Sequence, residues 1–313
     1  MEETHMYDVI IIGAGPAGLT AAIYAARGGL NALIIEKGIA GGLVNEAPLI
    51  ENYPGFKSVN GMELMDQMKA HASKYVNIHE GEIVEAIEFE DRIGVTTGKD
   101  TYDTEALVIA TGTTHRKLGV TGEEEFSGRG VSYCATCDGF FFKGKKVIVS
   151  GGGNTAVIDA IYLGKIGCDV KLIHRRDALR AEASLQKQLF DAGVDVIWNS
   201  VIEEIGGENL VERVQINDKK NGSSYLLDVD GVFVSIGEDP NTKLAAEIGV
   251  ELDRTGYILT DKKQRTNISG IYAAGDVTGG VKQIVVACAE GATAALTAHE
   301  DLKKPYWSGD SQP

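Results

Sequence analysis

Tyr7-Asp8-Val9-Ile10-Ile11-Ile12-Gly13-Ala14-Gly15-Pro16-Ala17-Gly18 decides how this chain folds. Tyr7 to Ile12 is a short apolar run of the kind that forms a buried parallel strand. It runs directly into a G-x-G-x-x-G pattern. Leu19 to Arg27 then carries alanines and apolar residues at helical spacing, and Gly28-Gly29 ends that helix. A second strand, Ala32 to Ile35, closes in Glu36. This is a βαβ unit for a dinucleotide. Gly13 serves the tight turn, Gly15 lets the backbone approach a pyrophosphate, and Gly18 lets the helix pack close to the strand. The free N–H groups and the dipole at the helix N-terminus, which opens at Pro16 and Ala17, favour the anion; Pro16 itself has no N–H to give. Glu36 stands 36 − 13 = 23 positions after Gly13, where a carboxylate takes ribose hydroxyls. With 39 glycines in 313 residues, the bare pattern arises by chance roughly 0.6 times. Its weight therefore comes from the strand, the helix and the terminal acid around it.

The same arrangement returns 151 − 13 = 138 residues later. Lys145 to Ser150 reads as a strand and leads into Gly151-Gly152-Gly153-Asn154-Thr155-Ala156, with alanine in place of the third glycine. A helix over Val157 to Ile166 and a strand over Val170 to Ile173 follow. The position matching Glu36 holds His174, since 174 − 151 = 23, and Arg175, Arg176 and Arg180 come after it. A carboxylate there favours a free 2′-hydroxyl, whereas two or three arginines favour a 2′-phosphate. A solvated basic patch is the plainer reading of the arginines. The chain thus holds two nucleotide folds with opposite charge codes, the first suited to FAD and the second to NADPH. The expected fold class is α/β, with two Rossmann-like, three-layer ββα domains.

Composition sets the limits. A chain of 313 residues is long enough for about two domains. Hydrophobic residues make up 43%, enough for packed cores. No apolar run approaches the roughly 20 residues that cross a bilayer. The start, Met1-Glu2-Glu3-Thr4-His5, has no basic region, so no signal peptide is expected and a cytoplasmic setting is. The net charge of −15 argues against nucleic acid as a partner.

Two of the four cysteines fall within Cys134-Ala135-Thr136-Cys137-Asp138. Two thiols three apart can open and close a small-ring disulfide, and a low-pKa thiolate there attacks another disulfide. Asp138 puts acid–base chemistry beside the pair. Half of a zinc site and a purely structural disulfide are the alternatives. Zinc needs two more ligands, yet Cys168 and Cys288 stand alone and no histidine has finger spacing, so no metal is expected. Cys168 and Cys288 read as small core residues. Elsewhere, Gly61 to Tyr75 reads as a helix with Met62, Leu64, Met65 and Met68 on its apolar side, and Gly81 to Thr97 as a β-meander. Glu105 to Ile109 is a buried strand ending in Ala110-Thr111-Gly112, and Gly231 to Gly237 echoes it. Gly256 to Thr260 and Gly270 to Ala274 read as short strands, the second meeting Gly275-Asp276, whose carboxylate suits a polyol. Gln283 to Ala298 reads as a helix, and the tail from Lys303 to Pro313 as frayed.

Taken together, these motifs resemble the low-molecular-weight thioredoxin reductases of bacteria and archaea, from Tyr7 to about Glu300. The resemblance implies a discontinuous FAD domain, residues 1–116 plus 244–313, with an NADPH domain inserted at 117–243 that carries the cysteine pair. The glutathione reductase type places its pair soon after the first glycine motif, where Gly38 to Glu51 here has no cysteine. By resemblance, Cys137 faces the flavin, Cys134 attacks the thioredoxin disulfide, and Asp138 protonates a leaving thiolate. One non-covalent FAD per subunit would contact Gly13, Gly15, Pro16, Ala17, Gly18, Glu36, Gly42, Leu43, Asn52, Val84, Thr111, Gly112, Gly275, Asp276, Gln283 and Ile284. NADPH would contact Gly153, Asn154, Thr155, His174, Arg175, Arg176, Arg180, Ile236 and Gly237. The resemblance further implies a homodimer, and a rotation of one domain against the other about linkers near Thr113 to Lys117 and Gly237 to Thr242.

The chain departs from the family in two places. Leu43 and Val44 stand where the family commonly has Gln after its Gly-Gly, and Lys282-Gln283 stands for a common Arg-Gln pair. A deazaflavin or ferredoxin donor, a glutaredoxin-like or peroxiredoxin-system acceptor, and a non-enzymatic flavin redox sensor are the alternative readings at this point.

Overall fold

The computed structural model describes residues 5–47, 49–89 and 91–303. Of the tail expected to fray from Lys303, residue 303 instead closes the last helix, and 304–313 lie outside the described residues. The chain divides into two units, Met1–Thr114 with Asp239–Pro313, and His115–Glu238.

In the first unit the order is β1 (His5–Ile12), α1 (Pro16–Arg27), β2 (Ala32–Glu36), α2 (Gly61–Ala72), β3 (Asn77–Glu80), β4 (Val84–Phe89), β5 (Ile93–Thr97) and β6 (Thr101–Ile109). Strands β3, β2, β1 and β6 lie side by side in parallel, and β5 and β4 continue the sheet as an antiparallel meander. The long strand β6 turns residues 101–104 to β5 and later pairs Leu107 to Ile109 with a strand arriving from the end of the chain. The apolar run of β1 explains the layering. Successive side chains point to opposite faces. Val9 and Ile11 pack with Leu19, Ala21 and Ala22 of α1, while Ile10 and Ile12 pack with Val84, Ile87 and Val95 of the meander. Both faces are covered, so no polar alternation survives in the sequence.

The crossing strand β7 (Thr113–His115) leads into the second unit. There β8 (Val131–Ser132), α3 (Ala135–Asp138), β9 (Lys146–Gly151), α4 (Asn154–Lys165), β10 (Asp169–Ile173), α5 (Ala183–Asp191) and β11 (Asp195–Ile197) precede β12 (Ser200–Gly206), β13 (Arg213–Asp218), β14 (Ser223–Asp228) and β15 (Gly231–Ser235). The parallel sheet has the order β11-β10-β9-β15-β8, and β12-β13-β14 form an antiparallel sheet of their own. The alternation repeats. Val147 and Val149 pack on Ala156, Val157 and Ala160 of α4, whereas Ile148 packs with Ile202, Val214 and Ile216 of the antiparallel sheet. Each unit therefore has a helix layer, a parallel sheet and a β layer. The chain returns through β16 (Glu238–Pro240), which pairs with β7, and then forms α6 (Lys243–Glu247), β17 (Ile271–Ala273) and α7 (Ile284–Lys303). The chain crosses between units after Thr114 and after Glu238, whereas the expected boundaries lay after residues 116 and 243. The crossings fall within the β7–β16 ribbon.

Two local readings need correction. Gly256 to Thr260 is not a strand: Ile258 makes a single isolated bridge to Leu252. Tyr257 and Thr255 instead donate backbone N–H groups to Asp253 Oδ1, a turn that pulls the segment away from ladder pairing. Met62 does not join the core. It is 61% exposed, while Leu64 and Met65 of the same helix are buried.

Candidate active site

The glycine turn of the first unit is built for close approach. A Cβ on Gly18 would lie 1.9 Å from the Gly13 carbonyl oxygen, so only glycine lets α1 sit on its strand. A Cβ on Gly15 would meet nothing within 4 Å, which leaves that backbone open on one side. Gly15 is the N-cap of α1 and supplies no side-chain cap, and Pro16 occupies the first turn. The free N–H groups at this helix start can therefore receive an anion. Glu36 sits at the tip of β2 and is held by two backbone N–H groups, from Ala14 and Gly38, each at 2.8 Å. A cavity of about 220 Å³ opens beside it, lined by Gly13, Glu36, Val84, Thr111 and Asn241 among others.

Other expected contacts gather around α1. Gly41 donates its N–H to Ala14, and a Cβ on Gly42 would come 3.8 Å from Gly15 Cα, so Gly42 and Leu43 begin their short 3-10 turn beside the glycine motif. A Cβ on Gly275 would approach Ala17 Cβ at 2.9 Å, which puts the Gly275-Asp276 turn against the first turn of α1. Asn52 Nδ2 donates to Gln283 Oε1 at 3.0 Å, and Ile284 opens α7 and packs beside Leu64 and Met65. Gly112, at φ +63, follows Thr111 at the end of β6. Sequence reasoning missed Asn241 and Glu82, which line the cavity, and Glu290, which accepts from Gly275 N–H at 2.7 Å and braces the turn. Burial pushes the Glu290 carboxyl above the usual range. Asn241 was legible only as part of a link, because its partners lie 130 positions away.

The second unit repeats the anion cradle. A Cβ on Gly153 would meet nothing within 4 Å, and Gly153 is the N-cap of α4 without a side-chain cap. Asn154 and Glu182 bond reciprocally, Nδ2 to Oε1 at 3.1 Å and N–H to Oδ1 at 2.9 Å, and Arg180 N–H donates to the Gly152 carbonyl at 2.7 Å. These bonds hold the Arg loop against the glycine turn, next to Thr155. Arg175, Arg176 and Arg180 are exposed, and among the described residues no carboxylate pairs with them. His174 is buried directly under the turn, where a Cβ on Gly152 would strike its ring at 2.2 Å. Its Nδ1 faces the Gly151 carbonyl at 2.8 Å, and since a carbonyl only accepts, Nδ1 carries the proton. Burial lowers the His174 pKa, so the ring is neutral and acts as a support beneath the glycines. Ile236 and Gly237 follow β15, with Gly237 at φ +106.

Cys134 and Cys137 form a disulfide with Cα atoms 5.3 Å apart. Cys134 caps α3 and is half-buried, whereas Cys137 is exposed. Ser132 organises the other side of the pair. Its hydroxyl donates to Asp138 Oδ2 at 2.6 Å and receives the Cys134 N–H at 3.1 Å. Asp138 Oδ1 is buried with no partner among the described residues. Burial raises the Asp138 pKa, and the Ser132 hydrogen bond opposes that shift in part. A carboxyl that keeps its proton to higher pH than usual therefore sits beside a reducible disulfide. Cys168 and Cys288 are free and half-buried. Cys168 bonds the Phe142 carbonyl at 3.1 Å and Cys288 lies 3.9 Å from Tyr53 Oη. No group of three or more metal-binding side chains occurs among the described residues. No helix among them is long and apolar enough to cross a membrane.

Two dinucleotide folds and a cysteine pair three apart define a flavin-type disulfide oxidoreductase. Residues 7–291 match the model of the pyridine nucleotide-disulphide oxidoreductase family, and the chain belongs to that family. It is 47% identical to the thioredoxin reductase of Listeria innocua over 309 residues, 96% of this chain and 97% of that one. It is 44% identical to the thioredoxin reductase of Bacillus subtilis, with 97% of both chains covered. Among solved structures, the thioredoxin reductase of Streptococcus pyogenes superposes with a TM-score of 0.91 at 43% identity, over 96% of this chain and 99% of that one.

Proposed function

We propose that the chain is an NADPH-dependent thioredoxin-disulfide reductase that carries one FAD per subunit and works as a cytoplasmic homodimer. The observation that carries this reading is the Cys134–Cys137 disulfide with Asp138 tied to it through Ser132, one oxygen of that carboxyl buried and its pKa raised by burial. The open backbone at Gly15, the cavity and Glu36 fit the pyrophosphate and adenosine of FAD in donor chemistry. The open backbone at Gly153 and the unpaired arginines fit a nucleotide with a 2′-phosphate. Near-full-length relatives that carry the name thioredoxin reductase support the acceptor.

Bound FAD would accept a hydride equivalent from NADPH and pass two electrons to the disulfide. The residues of this chain do the rest. Splitting the Cys134–Cys137 bond takes two electrons and leaves two sulfurs that together need two protons. Cys134, as thiolate, attacks one sulfur of the thioredoxin disulfide and releases the other as a thiolate, which Asp138 protonates. Cys137 then attacks Cys134, which closes the internal disulfide and frees reduced thioredoxin. Thioredoxin sits near roughly −270 mV, so the donor side must be comparably reducing. Single replacements test the reading. Cys134→Ser and Cys137→Ser each keep bound flavin, visible by its absorbance, and abolish NADPH-driven thioredoxin reduction. Turnover retained in both would contradict it.

A further inference from the structure

Asn241 belongs to two structures at once. With Thr111 it forms part of the wall of the 220 Å³ cavity. It also joins the two chain crossings. Its backbone N–H donates to the Gly112 carbonyl at 3.0 Å, and its own carbonyl accepts from Thr111 Oγ1 at 2.7 Å. Its side-chain Nδ2 donates to the Thr111 carbonyl at 2.9 Å, and its Oδ1 accepts from Thr114 Oγ1 at 3.0 Å. Because a carbonyl can only accept, this pair of bonds also fixes which end of the amide is nitrogen. The ribbon continues outward with the Arg116 N–H on the Gly237 carbonyl at 3.0 Å and His115 Nδ1 3.6 Å from Glu238. Neither glycine fingerprint accounts for this residue. Only a side chain with a donor and an acceptor on one short planar group makes both side-chain bonds. Aspartate keeps the acceptor alone, and alanine keeps neither.

We infer that Asn241 is a positioning residue that couples occupancy of the nucleotide cavity to the order of the two crossings. An adenosine moiety seated against Asn241 and Thr111 holds the amide, and the amide holds the start of β7 against the end of β16. The inference rests on reading the cavity as the adenosine site of FAD. It makes the loaded nucleotide part of the hinge that the family resemblance implies near these crossings.

Amide hydrogen exchange tests this on the whole chain, stripped of FAD and reloaded. The informative segments are 113–116 and 237–240, which contain no cavity-lining residue. In the wild type, FAD slows exchange there about tenfold or more, as it does at 13–18. In Asn241→Ala, compared at an FAD concentration that restores the slowing at 13–18, the slowing at the crossings is lost. Asn241→Asp, which retains the bond from Thr114, shows a smaller slowing than the wild type and carries the comparison if the alanine variant does not fold. Thr114→Val breaks the tie on the crossing side only, and weakens the slowing at 113–116 with FAD retention unchanged. Crossings that exchange alike with and without FAD in a wild-type chain protected at 13–18 overturn the inference alone. So does an Asn241→Ala chain that keeps the full wild-type difference. A wild-type chain that takes up no FAD overturns the reading of the cavity and the inference with it.

Discussion

At the residue scale, the acid beside the disulfide gives the sharpest expectations. Burial raises the Asp138 pKa, and a hydrogen bond to its carboxylate oxygen from Ser132 lowers it. Thioredoxin reduction that needs protonated Asp138 declines as pH rises through that pKa. Asp138→Asn cannot deliver the proton, so it slows thioredoxin reduction about a hundredfold and removes that alkaline limb, leaving flavin reduction by NADPH intact. Ser132→Ala takes away the opposing bond, so the Asp138 pKa rises further and the limb moves to higher pH. Steady-state pH profiles of the three proteins measure both effects. In the other cradle, Arg175→Ala and Arg176→Ala each raise KM for NADPH about tenfold or more, the scale of one lost charged hydrogen bond, and leave KM for NADH unchanged. The cysteines were legible from their own spacing, three apart, and Glu36 and the arginines because residue type at a fixed offset from a glycine turn carries their chemistry. Ser132 and Asn241 were not. Their roles come from contacts that only the folded chain makes, across 6 and 130 positions.

At the scale of elements, the helices and parallel strands beside the glycine turns were readable because both faces of each strand are buried and each helix packs on one side. Sheet β12-β13-β14 was not read. A bulge between Ile202 and Glu204 breaks its period-two pattern, and Tyr225 and Leu226 on β14 are exposed. The C-terminal helix α7 is anchored by a contact that no pattern announces. Arg265 grips Asp301 with Nε and Nη2 at 2.7 and 2.6 Å, and Tyr272 Oη donates to the same carboxylate. Asp301 is buried. Arg265→Leu leaves that charge uncompensated and costs about 3–5 kcal/mol of stability. Asp301→Asn in the Arg265→Leu background recovers part of the loss, since the buried charge is then gone. Chemical denaturation of the single and double variants checks both statements.

At the scale of the molecule, the repeat at an offset of 138 makes two nucleotide folds legible in the sequence, and the opposite charges at Glu36 and Arg175-Arg176 tell them apart. The places where the chain leaves one unit for the other were less legible. The crossings are β-paired and lie inside the segments read as linkers, since Gly, Pro and Asn mark a turn without saying which side of it holds the boundary. The central claim is that electrons enter from NADPH and leave through the Cys134–Cys137 pair to thioredoxin. Its most direct test is anaerobic. The flavin absorbance of the purified protein is followed while NADPH, and in parallel NADH, is added, and oxidised thioredoxin follows. The account predicts rapid bleaching by NADPH, slow bleaching by NADH, and return of the oxidised spectrum on adding thioredoxin. A flavin that dithionite bleaches but NADPH does not, or one that stays bleached in the presence of oxidised thioredoxin, would contradict it.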